Sequence, residues 1–60
     1  MNEETLQVDE ILEIKNAAAS YLENAKFHLF HGRFERALQF IHLACDEVEY
    51  IINHTKADAE

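Results

Sequence analysis

An antiparallel α-helical hairpin is the fold this sequence predicts, and three observations carry it. Apolar and small residues recur at steps of three and four along two long stretches, and period-two alternation is absent along the first. Gly32, the only glycine in 60 residues that include no proline, falls between those stretches. Segments such as "KNAAASYLENAK" are rich in strong helix formers and contain no breaker.

The first stripe is Ile11, Ile14, Ala18, Leu22, Ala25 and Leu29. It predicts a helix from about residue 6 to about residue 31. The acidic residues between Glu3 and Asp9 suit the positive end of a helix dipole, although no clean capping box marks the start. Gly32 then supplies a residue that enters the left-handed conformation without the steric cost of a Cβ, the usual way a helix ends. His28 and His31 precede it and suit the negative helix terminus. One continuous helix would have to tolerate the glycine at about 1 kcal/mol, and so short a chain gains little by failing to fold back.

The second stripe is Phe34, Ala37 or Leu38, Ile41, Cys45, Val48 and Ile52. It predicts a helix from about residue 33 to about residue 54. The tail "HTKADAE" has no large apolar residue to anchor it, so residues 55–60 are expected to fray. With the turn centred on Gly32, facing residues have numbers totalling about 66. Leu29 then meets Ala37, Ala25 meets Ile41, Leu22 meets Cys45 or Ala44, Ala18 meets Val48, and Ile14 meets Ile52. A large residue repeatedly faces a small one, which allows close packing without voids.

Residues 1–60 form a single domain at a size where a chain buries too little surface to be comfortably stable alone. One cysteine excludes an internal disulfide. Beyond the expected seam lie Leu12, Tyr21, Phe27 and Phe30 on the first helix, and Phe40, Leu43, Tyr50 and Ile51 on the second. These are the expected interface residues, because a two-helix hairpin needs only a narrow stripe and wide apolar patches mark interaction surfaces. Two hairpins pairing into a four-helix bundle, a homodimer, is the economical way to cover them. The competing occupant is a helix of some larger protein.

The formal net charge of −7 disfavours direct nucleic-acid binding, which needs cations to displace counterions from phosphates. Its distribution is uneven. Residues 26–42 hold Lys26, Arg33 and Arg36 against Glu35 alone, with His28, His31 and His42, while the carboxylates gather toward both chain ends. Apolar runs never exceed three residues, so no membrane span is expected. The acidic N-terminus does not read as a targeting peptide, so a cytoplasmic location is expected.

Four histidines raise the question of a metal. His28 and His31 share a helix face, but no Cys or carboxylate ligand lies beside them, and no Glu-x-x-His pair precedes His28 or His42. No metal, cofactor or small-molecule ligand is expected. Cys45 has no adjacent Lys, Arg or His to lower its pKa, and it reads as a buried core residue on the seam. Arg36 and His42, with five residues between them, resemble the Arg-x(4–6)-His signature of HEPN-type ribonucleases. The resemblance implies a helical, often dimeric ribonuclease, although the acidic charge disfavours an RNA substrate.

Two wider resemblances follow. "GRFERALQFIHLA" resembles the second half of a tetratricopeptide repeat through Gly32, Phe34, Ala37 and Ala44, although such solenoids stack about three units. "YLENAKFHLFHGRFERALQFIHLACDEVEYI" resembles a small archaeal helical family of uncharacterised function. That family's core runs Tyr-Leu-x-Asp-Ala-x-x-Phe-x-x-x-Gly-Asp-x-x-x-Ala. Tyr21, Leu22, Ala25, Gly32, Ala37 and Ala44 match across about half the chain. Asn24 stands where the pattern prefers Asp, Arg33 reverses the Asp after the glycine, and the additional N-terminal helix is short or lost. This resemblance implies an all-helical fold and no activity. The function expected is a non-catalytic interaction module that self-associates. The alternatives are an acidic accessory subunit or inhibitor docking on a larger protein, one that handles nucleic acid for example, and the HEPN-type ribonuclease using Arg36 and His42.

Overall fold

The computed structural model describes residues 6–55, which form two helices and no strand. Helix α1 runs Val8–Phe30 and helix α2 runs Phe34–Thr55. They fold back on each other as a hairpin, an elongated body with principal extents of 47, 19 and 17 Å. No helix among the described residues is long and apolar enough to cross a membrane.

Local chemistry sets each boundary. Gln7, with φ −81° and ψ 161°, is extended, and its carbonyl accepts the first helical hydrogen bond from Ile11 N–H at 3.0 Å. Its own N–H donates to the Glu10 carboxylate at 3.0 Å, so the side chain three residues on secures the helix entry. The sequence shows no Ser, Thr, Asp or Asn at that position, which hides this start from a search for the usual caps. At the other end of α1, Gly32 N–H donates to the Leu29 carbonyl at 3.1 Å and Arg33 N–H to the His28 carbonyl at 2.8 Å. These two crossed bonds define a Schellman motif, with Gly32 at φ 76° as its left-handed residue. The expected role of the glycine is therefore what the backbone shows.

Helix α2 ends with Thr55, whose hydroxyl donates to the Ile51 carbonyl at 2.8 Å. Thr55, the first residue of the tail expected to fray, is instead helical. The rest of that tail, residues 56–60, lies outside the described residues, as do Glu3 and Glu4. The open end of the hairpin is tied by Leu6 N–H, which donates to the His54 carbonyl at 3.2 Å. That bond satisfies one of the carbonyls left unpartnered in the last turn of α2.

The core differs from the expected seam. Its buried residues among those described are four alanines: Ala18 and Ala25 on α1, Ala37 and Ala44 on α2. Half-buried Ile11, Ile14, Tyr21 and His28 flank the first pair, and Phe40, Glu47, Ile51 and His54 flank the second. Leu22 and Leu29, expected to face α2, are exposed, and so are Phe34, Leu38, Ile41, Cys45, Val48 and Ile52. The cysteine is therefore corrected from core to surface. The register is also shifted. Leu6 bonds to His54 and the Tyr21 ring meets the Phe40 ring at 6.3 Å, which places facing numbers at totals near 61 rather than about 66. Small therefore faces small. Alanines seven residues apart on both helices let the backbones approach closely, and the larger side chains fill the margins of that contact.

Candidate functional site

The rotation of the seam leaves an apolar face open along one side of the hairpin. On α2 it consists of Phe34, Leu38, Ile41, Cys45, Val48 and Ile52, at alternating steps of four and three. At 3.6 residues per turn, those steps keep all six within one stripe, next to the Ala37–Ala44 line but turned away from α1. The five large residues of this stripe are 40–66% exposed. On α1, Leu22 and Leu29 lie on the same side, and Leu22, Ile41, Ala44, Cys45, Val48 and Glu49 line a shallow apolar groove that spans both helices. Lys15 and Lys26 interrupt the α1 half of this face, whereas the α2 half carries no charge along its stripe.

The expected interface residues are distributed differently. Tyr21 and Phe40 pack together across the hairpin margin opposite the open face, and Ile51 is half-buried in the seam. Leu43 and Tyr50 are exposed on the α2 side of that margin. Phe27 points outward from α1 near the turn, while Leu12 and Phe30 are exposed on the α1 flank of the open face. The open face itself escapes a sequence reading because its residues read as seam residues. The seven-residue spacing of Ala18 with Ala25, and of Ala37 with Ala44, is the signal that separates the two.

The turn carries a second cluster. The His28 ring stacks on Phe40 with centroids 5.5 Å apart and planes 5° apart, and Phe27 meets it edge-on at 5.3 Å. Arg33 lies 5.8 Å from the centre of the Phe27 ring, and its guanidinium donates to His28 Nδ1 at 3.4 Å. Partial burial first, then the charges of Arg33, Arg36 and His31, hold the His28 imidazole below its ordinary pKa. That contact suits a neutral His28, because Nδ1 can accept from a guanidinium only when it carries no proton. His31 Nδ1 donates to the Phe27 carbonyl at 2.8 Å, and His54 Nδ1 makes the same bond to Tyr50 at 2.9 Å. Each of these rings closes the end of its helix.

His28, Arg33, Phe34, Arg36 and Gln39 line a shallow recess at the turn. His42 is not part of it. Six positions along α2 separate Arg36 from His42 by roughly 9 Å of rise and about 120° of rotation, so the two side chains leave the helix in different directions. No three His, Cys, Asp or Glu side chains come together among the described residues in a way that could hold a metal. The chain's architecture is that of a two-helix hairpin with a wide open face. No family model, curated protein or solved structure matches it.

Proposed function

We propose that the protein is a non-catalytic helical interaction module that self-associates through the open face, two hairpins closing into a four-helix bundle. The observation that carries this reading is the α2 stripe. Its large apolar residues remain about half exposed while the hairpin seals itself with alanines. Alanine burial contributes little, so the stabilisation available to one hairpin is small. Each half-exposed Leu, Ile or Val adds on the order of 1 kcal/mol when its remaining surface is covered, and both copies gain equally. A regular alternation of threes and fours is also the pattern that receives another helix with side chains interleaved.

Sedimentation equilibrium at micromolar concentration tests the proposal. The protein as it stands sediments as a dimer, and Ile41→Glu, which sets a carboxylate in the middle of the stripe, sediments as a monomer. Leu43→Glu, on the opposite side of α2, remains dimeric. A monomeric unmodified protein overturns the reading and points to docking on a larger protein. A fully dimeric Ile41→Glu shows that a different surface is used.

A further inference from the structure

Resting on that self-association, the orientation of the second copy can be read from the stripe and the charges. We infer that the two hairpins lie end for end, α2 antiparallel to the second copy's α2, with the Cys45 residues of the two chains beside the two-fold axis.

The first observation is the symmetry of the stripe. Leu38 and Ile52 lie seven residues to either side of Cys45, and Ile41 and Val48 lie four and three residues away. The stripe therefore reads nearly the same in both directions, which is what a surface needs to complement itself across a two-fold axis. Antiparallel pairing sets Leu38 against the second copy's Ile52 and Ile41 against the second copy's Val48. The thiols then meet at the centre, where Cys45 is exposed.

The second observation is the difference between the two halves of the face. With both turns at one end, each α2 stripe would lie on the second copy's α1, and the face of α1 is broken by Lys15 and Lys26. Turned end for end, the uncharged α2 stripes lie on each other. In that arrangement the two α1 faces lie on each other, and the long stems of Lys15 and Lys26 run along that pairing to bring their ammonium groups to water.

Charge selects the same arrangement. Lys26, Arg33 and Arg36 outnumber Glu23 and Glu35 in the half nearer the turn, whereas Asp9, Glu10, Glu13 and Glu49 outnumber Lys15 in the half nearer the open end, with Asp46 and Glu47 close to the middle. Turns together would oppose cation to cation and anion to anion. End for end, each basic turn lies beside the second copy's acidic end, and each His42 comes within one residue of level with the second copy's Glu49. Such exposed pairs choose an orientation more than they hold a complex together.

Disulfide trapping tests the orientation separately from the dimer. The full chain is treated with diamide, which takes two thiol hydrogens as two sulfurs join, and non-reducing gels are read beside sedimentation of the untreated protein. The native Cys45 chain should convert almost wholly to covalent dimer. The dimeric double variant Cys45→Ala, Arg33→Cys should stay as monomer bands, because its thiols sit at opposite ends of the bundle. A dimer that fails to trap through Cys45 overturns the end-for-end arrangement while leaving self-association standing, and so does a double variant that traps through its thiol at the turn. A monomer in sedimentation overturns self-association, and the orientation with it.

Discussion

Gly32 reaches φ 76° with no atom within 4 Å of where a Cβ would stand. Its cost of replacement is therefore conformational rather than steric. Gly32→Ala is expected to destabilise the hairpin by about 1 kcal/mol, read from a urea melt. A stabilised variant would mean that the residue can be absorbed into a continuous helix. His28 gives a pH-dependent counterpart. Its native pKa lies below the unfolded value of about 6.5, so the unfolded chain binds more protons through that window. The contribution of His28 is complete above pH ~6.5 and is lost as pH falls from there toward the native value. Protonation also removes its acceptor from Arg33. Thermal melts at pH 7.5 and 5.5 should show a smaller loss on acidification for His28→Gln than for the unmodified protein. Equal losses would mean that His28 titrates as it does in the unfolded chain.

Each helix presents two neighbouring stripes of the same period. On α2 one stripe is Ala37, Phe40, Ala44, Glu47, Ile51 and His54, and the other is Phe34, Leu38, Ile41, Cys45, Val48 and Ile52. The second is more apolar along its length, so a reading by hydrophobicity assigns it to the seam. The first forms the seam, because two helices come closest where both lack bulk, and close approach places many atoms in contact along the whole length. The half-buried Glu47 and His54 are tolerated at the margin, where water still reaches them. This packing predicts that Ala18→Leu or Ala25→Leu overfills the contact at a cost of roughly 1–3 kcal/mol. Asn16→Leu, on the exposed side of α1, should change stability by less than about 0.5 kcal/mol. Equal thermal midpoints for all three would place the seam elsewhere. The helix ends were legible to within a few residues, and the Gly32 turn was legible outright, because both depend on neighbours in the chain. The Gln7–Glu10 entry was missed because its first residue is not among the usual caps.

For the molecule as a whole, a core of four alanines gives one hairpin little buried apolar area of its own, so the proposed self-association would supply much of the stability. If folding and association are linked, the thermal midpoint should rise with protein concentration, by several degrees between about 1 and 100 μM. A midpoint independent of concentration would mean that the hairpin stands alone or that a dimer never dissociates over that range, which sedimentation resolves. Ile41→Glu should abolish the dependence.

Helical character, the place of the turn and an excess of apolar surface over what one hairpin can cover were all present in the order of the residues. Propensity, glycine geometry and the three-four period act within a few positions of the chain. Which stripe closes the hairpin, and hence which one stays open, was settled only by the packing of α1 on α2. Both stripes satisfy the period equally well. The choice depends on how closely two particular surfaces approach each other, and neither helix carries that quantity alone. Cys45 passes from core to surface for that reason, and Tyr21 and Phe40 come together at the seam margin.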